Sequence, residues 1–420
     1  MQTNAYIERL KEEIYKGDNA QQICNLIISA AVSVRSSDIH IEPLSNYVRI
    51  RYRVDGVLEE ILEYQQFLHP QVVARYKILA NLKIDESRMP QDGRISVTID
   101  EKPLDLRVST LPTVSGEKIV MRIVDKSKKI PDLDVLGIEG QNGEILKRAI
   151  ALPNGIILTS GPTGSGKSTT LYSCLTRLNK PDVNIMTLED PVENVIDGVN
   201  QSQMFPDIGY NFASGLRTAL RQDPDIIMVG EIRDRETINI AIEASLTGHL
   251  VLSTIHTNSA AETITRILNM GIPAFLLPAS MNAIIAQRLI RRLCPHCRKA
   301  VAADKLEPRM QTSVKKAISR TNKKELTSRV SMEILQNPVF YEPAGCDHCG
   351  NSGYSGRVGI YEIMEIGPEI KKLILEGASG VQINETAIDA GMISLEQDGI
   401  MKALNGLTSL DEVYAAAKES

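Results

Sequence analysis

The 420-residue chain is long enough for two or three domains, and 43% apolar with 24% charged residues is ordinary soluble globular composition. A formal net charge of −5, no Trp and 4% aromatic residues provide neither a global attraction for phosphate backbones nor a platform for stacking bases, so nucleic acid is an unlikely partner. No apolar run approaches the roughly 20 residues that span a bilayer, and the charged N-terminus MQTNAYIERLKEEIYKGDN lacks the core of a secretory signal, so a cytoplasmic chain with reduced thiols is expected.

Helical spacing runs over residues 1 to about 20 and again from Gln21 to Val34. The period then changes. DIHIEP and YVRIRYRV alternate apolar with polar residues as half-exposed strands do, and Val54, Asp55 and Gly56 mark a hairpin turn. GRISVTID, LDLRVSTL and EKIVMRIV continue the alternation, so residues 1–125 are expected to form an N-terminal α+β domain. DKSKKIPDLDVLG crowds Lys, Pro and Gly with little periodicity and predicts a linker over 126–134. From residue 135 to 292 short apolar runs (GIILTS, VNIMTLED, DIIMVGE, HLVLSTIH) alternate with helical stretches, which predicts an α/β fold with a mostly parallel sheet covered on both faces. Residues 293–355 form a cysteine-bounded segment, and 356–420 are expected to be a C-terminal helical region.

GIILTSGPTGSGKSTT carries a phosphate-loop pattern from Gly161 through Pro162, Thr163, Gly164, Ser165, Gly166, Lys167, Ser168 and Thr169, between an apolar strand and a helix. Glycines let backbone N–H groups curl around a phosphate, the helix N-terminus favours negative charge, Lys167 neutralises β and γ charges, and Ser168 offers its hydroxyl to Mg²⁺. By itself the loop says only that a nucleoside triphosphate binds. Three further strand ends bring polar groups: Glu189, Asp190 and Glu193 after VNIMTL, Glu231 after DIIMVG, and His249 and His256 on either side of LVLSTI.

CPHC at Cys294–Cys297 and CDHC at Cys346–Cys349 are two C-x₂-C knuckles. Four thiolates suit a closed, structural Zn²⁺ site, with a redox pair or a surface without metal as the alternatives. The 48 residues between the knuckles include the basic stretch SVKKAISRTNKKELTSR. Cys24 and Cys174 read as small buried apolar residues.

GPTGSGKSTT, LEDPVE, RQDPDIIMVGEIRDRET and TGHLVLSTIHTNSA, in that order, closely resemble the motifs of the secretion ATPases that power type II secretion and type IV pilus assembly. SSDIHIEP, RYRVDG, MPQDGRI, LRVSTLPT and GEKIVMRI extend the resemblance upstream, and RLCPHC, CDHC and GYSGRVGIYE extend it downstream, over roughly residues 30 to 400. It implies a RecA-like P-loop ATPase domain preceded by a smaller α+β, PAS-like domain and carrying a tetracysteine zinc module. The implied activity is ATP hydrolysis with Mg²⁺ in a homo-hexameric ring, peripherally associated with the inner membrane, that drives a platform protein there. Larger relatives carry an extra N-terminal docking domain, so a membrane-recruiting adaptor is a further partner to expect.

The resemblance also implies residue roles. Glu231 stands where nucleotide hydrolases usually have Asp, on the metal side, acting on Mg²⁺ through its water shell. Glu189 is the second carboxylate facing the γ-phosphate, and the reading leans towards it as the group that handles the attacking water. His249 and His256 would contact the γ-phosphate region. Arg94 and Arg107, with Arg217, Arg221 and Arg233, are the guanidinium groups expected to clamp phosphate charge; Arg88 and Arg122 lie in similar motifs. A nucleic-acid-translocating motor and a catalytically silent subunit are the competing readings. The acidic balance opposes the first, and the intact Lys167, Ser168, Glu189 and Glu231 oppose the second.

Overall fold

The computed structural model describes residues 5–17, 19–125 and 129–418, and divides into two compact units, 1–129 and 130–420. Residues 126–128 of the expected linker lie outside the described residues.

In the first unit the helices Ala5–Lys16 and Ala20–Ser33 precede six strands: β1 (Asp38–Pro43), β2 (Tyr47–Val54), β3 (Val57–Gln65), β4 (Gln91–Ile99), β5 (Lys102–Thr113) and β6 (Gly116–Asp125). They form one antiparallel sheet in the order β3-β2-β1-β6-β5-β4. Asn19 caps the second helix by accepting from the N–H of Gln22. Asp55 and Gly56 both take positive φ, which lets the two-residue turn follow the twist of β2 and β3. Alternation sets the faces: in β2, Val48, Ile50 and Tyr52 are buried while Arg49, Arg51 and Arg53 point to the other side. The buried face joins Ile23 and Ile27 of the second helix, and the Tyr52 hydroxyl donates to the Ile27 carbonyl at 2.7 Å. A helix over His69–Leu79, for which the sequence carries no clear apolar stripe, closes this core through Val72 and Tyr76.

The second unit is built on β7 (Gly155–Ser160), β8 (Ile185–Glu189), β9 (Asn200–Gln203), β10 (Ile226–Val229), β11 (Leu250–Ile255), β12 (Met281–Leu293) and β15 (Tyr354–Glu365), with a separate pair, β13 (Lys299–Ala302) and β14 (Val339–Glu342). The seven-stranded sheet runs β15-β12-β7-β11-β10-β8-β9, parallel throughout except for β15, which is antiparallel to β12. β7, β10 and β11 are buried along their whole length because helices cover both faces, so their residues are apolar on both sides of the pleat.

Between β13 and β14 the helices Pro308–Arg320, Lys323–Arg329 and Met332–Gln336 pack on the C-terminal helices Leu395–Leu404 and Leu410–Lys418. A buried ionic cluster ties them together. Asp398 accepts from Arg329 at 2.6 Å and from Lys402 at 2.7 Å, and Lys402 also donates to the carbonyls of Gly137 and Gly359. All three side chains are nearly inaccessible, so losing one would strand the charge of the others.

In the first unit Glu42 is buried beside Arg49, Arg51 and Lys118, with Arg51 and Lys118 both at 2.8 Å. Burial alone would raise its pKa, but the bonds from Arg51 and Lys118 outweigh it and hold the carboxyl down at about 2. A depressed carboxylate stabilises the fold above its unfolded pKa and loses that contribution as the pH falls from about 4.5 towards 2. Calorimetry across this window is expected to show acid destabilisation that is flatter in Glu42→Gln, with the variant less stable than the parent at pH 7.

Candidate functional site

Strand register places the chemistry. β7 pairs with β11 so that Ser160 lies opposite Ile255, and β10 pairs with β8 so that Val229 lies opposite Leu188. The residues that follow, Gly161–Gly166, His256, Glu231 and Glu189, therefore collect at the carboxyl edge of one sheet, where ligands of parallel sheets bind.

The phosphate loop leaves β7 at Gly161 (φ 145°) and enters the helix Lys167–Leu178 through Gly166 (φ 89°), both in the region that favours glycine. Pro162, Thr163, Gly164, Ser168 and Thr169 are exposed around it, while Ser165 and Lys167 are buried. The Lys167 ammonium donates to the carbonyls of Gly161 at 2.7 Å and Pro162 at 3.0 Å. Burial lowers its pKa to about 8; the nearby Arg288 adds to the shift and Glu231 opposes it.

Glu231 is partly exposed and is held from both sides: Arg233 pairs with Oε1, and Nε2 of His256 lies 3.4 Å from Oε2. Glu189 is in a different state. Only 4% exposed, it accepts from Thr187 Oγ1 at 2.5 Å and Gln201 Nε2 at 2.9 Å on one oxygen, and from the Tyr172 hydroxyl on the other. A carboxylate has about four acceptor sites, so one direction stays open. Tyr172 and Gln201 also hold the segment beyond Glu189, through the N–H of Glu193 and the carbonyl of Asn194.

His249 does not join this group. It precedes β11, at the amino end of the sheet, where its backbone carbonyl accepts from Gly155, the first residue of β7. Its Nδ1 lies 2.9 Å from the Ala244 carbonyl, so the ring closes the end of the preceding helix. The physical reason is strand polarity: the six residues between the histidines span about 20 Å at 3.3 Å each, leaving only His256 at the nucleotide edge. Arg217 is exposed and paired with Glu236, and Arg221 is exposed and donates to the Arg217 carbonyl at 2.8 Å. In the first unit, Arg94 lies opposite Arg107 and Arg107 opposite Arg122, which pairs with Asp38 at 3.0 Å; Arg88 is exposed beside Glu86.

Sequence reasoning missed Tyr172, Thr187 and Gln201 around Glu189, and Gln287 and Arg288 of β12 beneath the loop. The polar pair interrupting the apolar run AIIAQRLI was the available signal for the last two.

At the far end of β12, the sulfurs of Cys294, Cys297, Cys346 and Cys349 lie within 4.8 Å of one another. Separations of 3.9, 3.8 and 3.7 Å link Cys294 to Cys346, Cys297 to Cys349, and Cys346 to Cys349. A tetrahedral ion with bonds of about 2.3 Å needs its sulfurs about 3.8 Å apart, so the four thiols fit Zn²⁺. Cys24 and Cys174 are buried.

A phosphate loop after one parallel strand, with carboxylates and an imidazole at the ends of others in the same sheet, defines a RecA-like P-loop ATPase core. The family model described as "Type II/IV secretion system protein" matches residues 16–415, and the chain belongs to that family. It is 46% identical to the type IV pilus assembly ATPase PilB of Myxococcus xanthus, covering 98% of this chain and 70% of that one. It is 45% identical to the type II secretion system ATPase E of Vibrio cholerae, covering 95% and 75%. Among solved structures it resembles the pilus retraction motor PilT with bound ADP (25% identity, TM-score 0.58, 93% of this chain and 95% of that one). The fold is also that of the Legionella pneumophila ATPase DotB (22% identity, TM-score 0.66, 94% and 95%).

Because phosphate favours the Lys167 ammonium, affinity for Mg-ADP is expected to fall as the pH rises through about 8, approaching tenfold per unit above it. Fluorescent-nucleotide titrations between pH 7 and 9.5 would measure this; a flat profile would place the proton elsewhere.

Proposed function

We propose that the chain is an ATP-hydrolysing motor of type IV pilus assembly or type II secretion, working with Mg²⁺ as a homo-hexameric ring. It is peripherally associated with the inner membrane and moves a platform protein there. The observation that carries this reading is the convergence of Lys167, Glu231, His256 and Glu189 on one sheet edge. The α+β unit, the ATPase core, the cysteine module and the C-terminal helices are its working parts.

Bound Mg²⁺ would offset phosphate charge. Ser168, exposed in the first helical turn, would offer its hydroxyl as a ligand. Glu231 belongs on the metal side, supported by its electrostatic coupling to Lys167. Glu189 orients the attacking water through its one open direction. Three donors fix the direction of its carboxylate, which suits positioning, and phosphoryl transfer asks mainly for positioning. His256 contacts the γ-phosphate region, while Arg233 steadies Glu231. Arg94 and Arg107 supply guanidinium groups from the first unit. The four cysteines hold a structural Zn²⁺.

Lys167→Ala is expected to abolish Mg²⁺-dependent ATPase activity. Glu189→Gln is expected to lower turnover about 10²-fold with Mg-ATP affinity kept, and Glu231→Gln to raise the Mg²⁺ concentration needed for half-maximal rate. The opposite pattern would exchange the two roles. Elemental analysis is expected to find about one zinc per chain, lost in Cys346→Ser.

A further inference from the structure

β12 continues past the end of its neighbour: Ala286 lies opposite Ser160, the last residue of β7, and the strand runs on to Leu293. The first residue of this overhang is Gln287, only 1% exposed, and the phosphate loop rests on it. Its Nε2 donates to the Ser165 carbonyl at 2.7 Å, and its Oε1 accepts from Thr170 Oγ1 at 2.8 Å. The carbonyl can only accept, so the amide has one orientation here. A Cβ on Gly161 would fall 2.5 Å from the Gln287 carbonyl oxygen, and one on Gly166 would fall 3.1 Å from Nε2. Gly161 and Gly166 are thus required by the loop's approach to this residue as well as by their φ angles.

The next residue extends the contact to a second loop. Arg288, 3% exposed, donates from one terminal nitrogen to the Gln287 carbonyl at 3.1 Å and from the other to the Asn258 carbonyl at 3.0 Å. Asn258 lies two residues beyond His256, in the loop that leads into the helix Ala260–Asn269. On the other side of that junction Glu362 of β15 accepts from the N–H of Ala260 at 2.9 Å.

We infer that Gln287 is a positioning residue of the phosphate loop and that Arg288 fixes the His256 loop relative to it. One dipeptide thereby sets the spacing between the β-phosphate cradle and the γ-phosphate contact. Gln287 acts through the Ser165 carbonyl and the Thr170 hydroxyl: with both held, the N–H groups of the loop keep a single direction, and binding need not order them. Arg288 acts through Asn258, so its influence falls on groups that distinguish a triphosphate from a diphosphate. This rests on the reading of the site as a nucleotide site.

The test uses the full chain and measures affinity for fluorescent Mg-ADP and for a non-hydrolysable Mg-ATP analogue, alongside thermal stability. Gln287→Glu keeps the size and the acceptor for Thr170 but cannot donate to Ser165. It is expected to weaken Mg-ADP binding about tenfold. Thr170→Val is expected to act in the same direction and Thr170→Ser to retain affinity, and this pair decides the matter if the Gln287 variant does not fold. The double variant Gln287→Glu/Thr170→Val is expected to lose less than the product of the single effects, because Thr170 acts through the Gln287–Ser165 bond that Gln287→Glu already removes. Arg288→Lys is expected to leave Mg-ADP affinity near the parent value while narrowing the preference for the triphosphate analogue. Folded Gln287→Glu and Thr170→Val proteins that bind Mg-ADP like the parent would overturn the proposal. Failure of the parent chain to bind Mg-ADP would overturn the nucleotide reading itself.

Discussion

A parallel sheet covered on both faces leaves only its strand ends free to carry chemistry, and the second unit follows from that constraint. Because β7, β11, β10 and β8 are locked in register through buried apolar residues, the positions following them arrive together without any loop having to reach. The short strand IIMV illustrates the point: four residues suffice because each is paired on both sides, and the chain can turn at Gly230 and deliver Glu231. Apolar burial supplies the stability, so the polar groups at the edge are free to be set for function.

The two carboxylates at that edge differ in their surroundings. Glu189 ends a strand and is fixed by Tyr172 from the phosphate-loop helix and by Gln201 from the edge strand β9. Glu231 follows a strand and meets mobile-length side chains, Arg233 and His256, nearer the solvent. One is held by buried neutral donors, and the other is balanced by the guanidinium of Arg233.

Much of this arrangement was legible in the sequence because its signals are local. The phosphate loop, LEDPVE, the Gly230–Glu231 strand end and the cysteine knuckles are each short runs whose chemistry needs adjacent residues. What stayed hidden depends on pairing across long separations. β12 reads AIIAQRLIRRL, rich in residues that favour helices, and becomes a strand because β7 and β15 flank it. Gln287 reaches Thr170 across 117 positions, and no period in either segment announces the contact. His249 shows the converse: its motif is local, but which end of the strand it occupies depends on the direction in which β11 crosses the sheet. The helix His69–Leu79 escaped notice because its buried stripe includes the polar His69 and Lys77 while the apolar Ile78 is exposed.

The cysteine segment leaves the sheet at β12 and returns at β15, and those strands are hydrogen-bonded neighbours. Leu293 lies opposite Tyr354, and the N–H of Cys294 donates to the Gly353 carbonyl at 2.9 Å. The two feet of the excursion are therefore joined by backbone pairing, and the conformational entropy of closing so long a loop is met by the sheet. The sheet therefore holds the base of the insertion together, a task that in small zinc modules falls to the metal.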